Sequence, residues 1–301
     1  MVRRKLLGVG MIVAGVAAAN RFLRRSPDEL PELDEGNERT FRWRGMDIAY
    51  AEAGDPDNPD VLLVHAPGLA ASGHEFDAAF DSLSEEYHVI APDLPGYGRS
   101  DRPSLRYTSA LYESFLADFS RAMTEDATVI AAGLSGSYIA RIANEVGFER
   151  LVLVAPTDGR DGERPWMRAL LRTPVLGTGL YNLAVSAPIM RRRARSGDGE
   201  IEYRWLSAHL PGARYAPSAL IAGDLDPDAS LGAILAGIDV PVALVWGRAA
   251  ETPPLTAGHR LADEADATLL VVEESGDRPH VEDPDAFIEA VERALQHAEH
   301  E

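Results

Sequence analysis

From residue 40 to about 297 the chain alternates short apolar runs with longer amphipathic stretches. Residues 40–44 and 46–52 alternate apolar and polar positions around Gly45, which predicts a β-hairpin. Apolar runs at 61–64, 88–91, 127–132, 151–155, 240–246 and 268–272 follow. Runs of this length bounded by turn residues suit strands buried on both faces. Helical periodicity fills 76–85, 109–123, 138–146 and 284–296. Strand alternating with helix predicts an α/β fold, a mostly parallel doubly wound sheet whose chemistry gathers at the C-terminal strand ends.

Two regions depart from this rhythm. Residues 157–238 hold helical material at 166–171 and 179–194, several prolines and no convincing strand, which marks a helical insertion between two core segments, 40–156 and 239–301. Its Arg191-Arg192-Arg193 run reads as a solvated helix end or an anion contact. At the other departure, Arg3, Arg4 and Lys5 precede an uncharged run at 6–19, and Arg21, Arg24 and Arg25 follow it. As a helix the run would rise about 21 Å against a hydrocarbon core of about 30 Å, so it would span only with snorkelling flanks or local thinning. Residues 1–25 are therefore expected to be a hydrophobic membrane anchor. The alternative is an export signal of twin-arginine type, with Ala17-Ala18-Ala19 as a cleavage site. Residues 26–39, rich in Pro and acids, read as a solvated linker.

Charge narrows the partners. Among 301 residues, 48 are acidic and 29 basic, for a net charge of −19, and Lys5 is the only lysine. Such a surface repels phosphates, which argues against nucleic acid as a partner. Acidic excess with so little lysine resembles proteins that work in molar salt, where a Debye length of about 3 Å screens self-repulsion; an arginine-rich, GC-biased genome is the alternative source. With no cysteine, the chain has no disulfides, thiolate metal site or cysteine nucleophile. Its eight histidines show no ligand-spaced motif, so neither metal nor cofactor is expected. Composition leaves the oligomeric state open.

The strongest chemical signal is Gly133-Leu134-Ser135-Gly136-Ser137, between the run at 127–132 and the helix expected from 138. A sharp strand-to-helix turn lifts a serine hydroxyl above the sheet, small neighbours let the backbone pack closely, and the helix aims amide donors at a developing oxyanion. With this motif, four further segments in order resemble the α/β-hydrolase family over roughly 40–297. They are Leu62-Leu63-Val64-His65 with Pro67-Gly68, Asp93-Leu94-Pro95-Gly96-Tyr97-Gly98-Arg99-Ser100, Val245-Trp246-Gly247-Arg248, and Pro279-His280-Val281-Glu282-Asp283-Pro284. The resemblance implies a sheet of α/β-hydrolase type, a helical cap at 157–238, and a nucleophile, acid and histidine in that chain order. Ser135 matches the nucleophile and Gly136 an oxyanion donor.

The same resemblance exposes three departures. The acid is expected at Ala250, with Glu251 one residue on as the displaced candidate and Asp158 as the alternative. Asp277 occupies the expected histidine position and the nearest histidine is His280, about 10 Å further along an extended chain. It is either a structural histidine or a base reaching Ser135 from a rearranged loop. Ala66 replaces the glycine of the oxyanion loop and Pro67 offers no amide hydrogen, leaving Ala66 or Gly68 as a shifted donor. Two readings follow: a serine hydrolase of an ester or related acyl substrate, with a lipophilic ester as the expected class, using Ser135, His280 and Glu251, or a catalytically impaired binding protein of the same fold beside a membrane.

Overall fold

The computed structural model describes residue 30 and residues 38–159, 165–173, 175–186, 189–190 and 198–296. The apolar run at 6–19, Arg191 to Arg193 and most of the acidic linker lie outside the described residues. Among the described residues no helix is long and apolar enough to cross a membrane.

Eight strands form one sheet in the order β1-β2-β4-β3-β5-β6-β7-β8. β1 (Glu38–Trp43) and β2 (Met46–Ala53) make the expected hairpin, and β1 starts two residues inside the stretch read as linker. β2 joins β4 (His88–Pro92) antiparallel, and every remaining pairing is parallel: β3 (Asp60–Val64), β5 (Thr128–Ala132), β6 (Arg150–Val154), β7 (Val242–Gly247) and β8 (Thr268–Val272). Side chains alternate across the pleat, so each central strand feeds two cores. Leu62, Val64, Val129, Ala131, Leu151 and Leu153 enter one cluster, while Val61, Leu63, Ile130, Ala132, Val152 and Val154 enter the other.

Helices cover both faces. After a 3₁₀ turn, Gly73–Phe76, come α1 (Asp77–Leu83), α2 (Ser109–Met123) and α3 (Leu134–Val146). Between β6 and β7 the described residues hold α4 (Pro165–Arg172), α5 (Leu176–Ala184), α6 (Asp198–His209), α7 (Tyr215–Ala222) and α8 (Leu231–Leu235), and no strand. α9 (Leu255–Ala265), α10 (Pro279–Glu282) and α11 (Pro284–Gln296) complete the core. The Asp93 to Ser100 segment braces the loop beside β4. The Asp93 carboxylate accepts from the Gly73 and Arg99 amides, each at 2.7 Å, and a Cβ at Gly98 would fall 2.1 Å from it.

Candidate active site

β5 ends at Ala132 and α3 begins at Leu134, so the reversal from strand to helix falls on Gly133 alone, with φ 54° and ψ −125°. An L-residue is strained there and glycine is not. Helix therefore starts four residues earlier than the sequence pattern indicates. Ser135 and Gly136 lie in its first turn, where small residues pack tightly; a Cβ at Gly136 would meet Pro156 at 3.0 Å. The residue on the sharp turn, which presents a nucleophile in a working elbow, is thus Gly133. Ser135 is fully buried, and its hydroxyl donates to the His65 carbonyl at 2.7 Å.

The other expected parts are placed as follows. The Gly136 amide donates back to the Gly133 carbonyl at 3.2 Å, so it closes a turn instead of holding an oxyanion. The Ala66 amide donates to Glu75 Oε1 at 2.9 Å. Leu134, as the first helical residue, has an amide with no intrahelical acceptor, which makes it the natural donor at this turn. Glu251 is exposed, and its backbone amide, with that of Thr252, donates to Asp277 Oδ1 at 2.6 and 2.9 Å. Asp277 thereby ties down the loop after β7 with its own carboxylate. Ala250 is buried beside it in sequence. Asp158 is exposed, and its Oδ2 accepts from the Leu231 amide at the start of α8 at 3.4 Å.

His280 does not orient Ser135 through a hydrogen bond. Its ring stacks on Phe76 at 4.6 Å, meets Phe287 edge-on at 5.8 Å, and is 3% exposed. Neither ring nitrogen has a hydrogen-bond partner among the described residues. The nearest charge is Glu75, 3.7 Å from Nε2, an ion-pair distance too long for a hydrogen bond. The sequence reading missed Glu75, because one acid in an acidic chain sends no periodic signal. Burial works against its charge, yet the nearby His280 ring and the Ala66 amide outweigh that cost and hold its pKa at about 2. His65 anchors the loop: Nε2 accepts from the Leu94 amide at 3.0 Å and Nδ1 donates to the Ala66 carbonyl at 3.0 Å, which fixes the neutral tautomer.

Beside these groups lies a cavity of about 200 Å³, walled by the loop from Ala66 to Ser72, by His74 and Glu75, and by Arg204 and Arg278. A second cleft, about 100 Å³, opens at the sheet edge near Tyr50 and Arg99 and is not lined by the 66–72 loop; Ser135 lines neither. The first cavity is the one that the 66–72 loop and Arg278 wall. Among the described residues no group of three His, Cys, Asp or Glu is placed to hold a metal ion.

The fold agrees with the comparisons to known proteins. A family model described as "Alpha/beta hydrolase family" matches residues 61–290, and the chain belongs to that family. An uncharacterized protein of Mycobacterium tuberculosis is 26% identical over 281 residues, 85% of this chain and 80% of that one. The magnesium-chelatase 30 kDa subunit of Rhodobacter capsulatus is 31% identical over 150 residues, 49% of this chain and 50% of that one. A hydrolase from Pseudomonas aeruginosa superposes with a TM-score of 0.70 at 22% identity, covering 87% of this chain and 100% of that one. The enol-lactonase from Burkholderia xenovorans superposes at 0.68 and 20% identity, covering 85% and 99%. These structural likenesses bear on the fold.

Proposed function

We infer that this α/β-hydrolase-fold protein binds a small molecule without hydrolysing it. The observation that carries the reading is Gly133 on the strained turn: the position that would present a nucleophile has no side chain. Ala250 and Asp277 stand at the expected acid and base positions, so all three corners lack their reactive group. Sequence reasoning ranked serine hydrolysis through Ser135, His280 and Glu251 ahead of binding, and the elbow geometry supports the opposite order. Ser135 is buried in a helix and bonded to a carbonyl, His280 is enclosed by Phe76, Phe287 and Glu75, and Glu251 is exposed. The apolar wall of Ala66, Pro67, Leu69, Ala70 and Ala71 along the cavity suits a lipophilic ligand.

A fluorophosphonate probe, which reacts with activated serines, tests this directly. The wild-type chain is expected to remain unlabelled, and the Gly133→Ser, Ala250→Asp, Asp277→His triple variant to gain labelling. Labelling of the wild type that disappears in Ser135→Ala and His280→Ala would overturn the reading and restore the serine hydrolase.

A further inference from the structure

The described residues leave four large hydrophobic side chains exposed, and all fall between 166 and 183: Trp166 at 66%, Leu176 at 41%, Leu180 at 44% and Leu183 at 56%. Trp166 is on α4 and the leucines are on α5. These helices pack so closely that a Cβ at Gly177 would fall 1.9 Å from the Leu171 carbonyl oxygen. Leu176, Leu180 and Leu183 are spaced i, i+4, i+7, one stripe of a helix. The opposite side of α5 does the folding. Tyr181 is buried with Val185, Ala70 and Ala208, and its hydroxyl donates to the Ala208 carbonyl at 3.0 Å. The leucine stripe is therefore surplus to the core, and an exposed apolar patch of this kind marks an interaction surface.

Charge identifies what it meets. By sequence, residues 164–197 contain seven arginines, of which Arg168 pairs with Asp224 and Arg164, Arg191, Arg192, Arg193 and Arg195 lie outside the described residues, and no Asp or Glu, in a chain where nearly one residue in six is acidic; the remainder carries a net −26. A second copy would set one cationic segment against another, since a two-fold interface repeats the same patch. Exposed leucines and a tryptophan with an arginine-rich, acid-free sequence fit an interface with anionic lipid, where apolar groups enter the acyl boundary and cations meet headgroups. The N-terminal sequence repeats the combination, with an uncharged run at 6–19 between Arg3-Arg4-Lys5 and Arg21, Arg24 and Arg25. Reversible membrane attachment becomes stable when two such signals act together. We propose that the α4–α5 face of the cap docks on an anionic lipid bilayer. This docking is independent of whether the cavity binds or hydrolyses its ligand.

The full-length chain would be mixed with phosphatidylglycerol vesicles containing phosphatidylcholine brominated in its acyl chains, and tryptophan emission compared with that of Trp166→Phe. Quenching that depends on Trp166 is expected, and it should be absent on vesicles of brominated phosphatidylcholine alone. Leu180→Asp with Leu183→Asp should abolish the quenching and weaken vesicle partitioning about tenfold or more. Vesicles that sediment the protein while Trp166 stays unquenched would overturn the proposal, leaving the N-terminal segment as the sole contact. So would quenching unchanged in the double variant, or self-association lost in that variant without any vesicle binding. If the double variant fails to fold, the comparison of wild type with Trp166→Phe decides the question.

Discussion

At the scale of single residues, Glu75 is the clearest product of the altered site. Its carboxylate takes the Ala66 amide that an oxyanion loop would offer to substrate, and it is the charge nearest to the buried His280. Its folded pKa of about 2 lies below the ordinary carboxylate value, so its contribution to stability is complete above about pH 5 and disappears as the pH falls toward 2. A depression of this size corresponds to about 3 kcal/mol. Glu75→Gln keeps an acceptor for the Ala66 amide and removes the charge. Urea unfolding of this variant from pH 7 to pH 3 is expected to show a shallower loss of stability than wild type; parallel curves would show that the carboxylate is not held as the geometry indicates.

At the scale of elements, the ends of α2 and α3 show what the sequence reveals and what it hides. Thr108 caps α2: its hydroxyl accepts from the Leu111 amide at 3.2 Å, and the helix spans the expected 109–123. Thr108→Ala is expected to cost about 1 kcal/mol, measured by denaturant unfolding. Gly98→Ala should cost more, about 2 kcal/mol or above, because φ is 49° there and the new methyl would meet the Asp93 carboxylate. The buried strands were legible because Val61 to Val64 and Leu151 to Val154 are apolar at every position, as a sheet covered on both faces requires. The start of α3 was not. Leu134 to Ser137 includes Ser, Gly and Ser, poor helix formers that read as a loop, yet in the first turn their small size admits the close approach of Pro156. That displacement of four residues separates an elbow carrying serine from one carrying glycine. Glu75 was illegible for another reason, since its role depends on the meeting of the β3 loop with α10, which only the tertiary fold creates.

For the whole molecule, the net charge of −19 acts on every element at once. Self-repulsion destabilises the compact state in dilute buffer and is screened as the Debye length falls from about 10 Å at 0.1 M to about 3 Å at 1 M. The thermal midpoint is expected to rise between 0.1 and 1 M sodium chloride, since the acids far outnumber the arginines available to pair with them. A midpoint that falls or stays flat over this range would show that ion pairs such as Arg141 with Glu113, at 3.0 Å, outweigh the global repulsion. The sequence divides this charge unevenly: the acids lie outside residues 164–197, a stretch between β6 and β7 that contains none.

The glycine at position 133 also gives the chain a direction of change. Any side chain placed at φ 54°, ψ −125° occupies a sparsely populated backbone region, at a cost of about 1–3 kcal/mol, and its Cβ would press within 3.1 Å of Ala66. Losing a side chain there runs downhill in folding free energy, and regaining one runs uphill before any reactivity can repay it. A side chain introduced at this elbow would therefore need compensating stability elsewhere in the sheet.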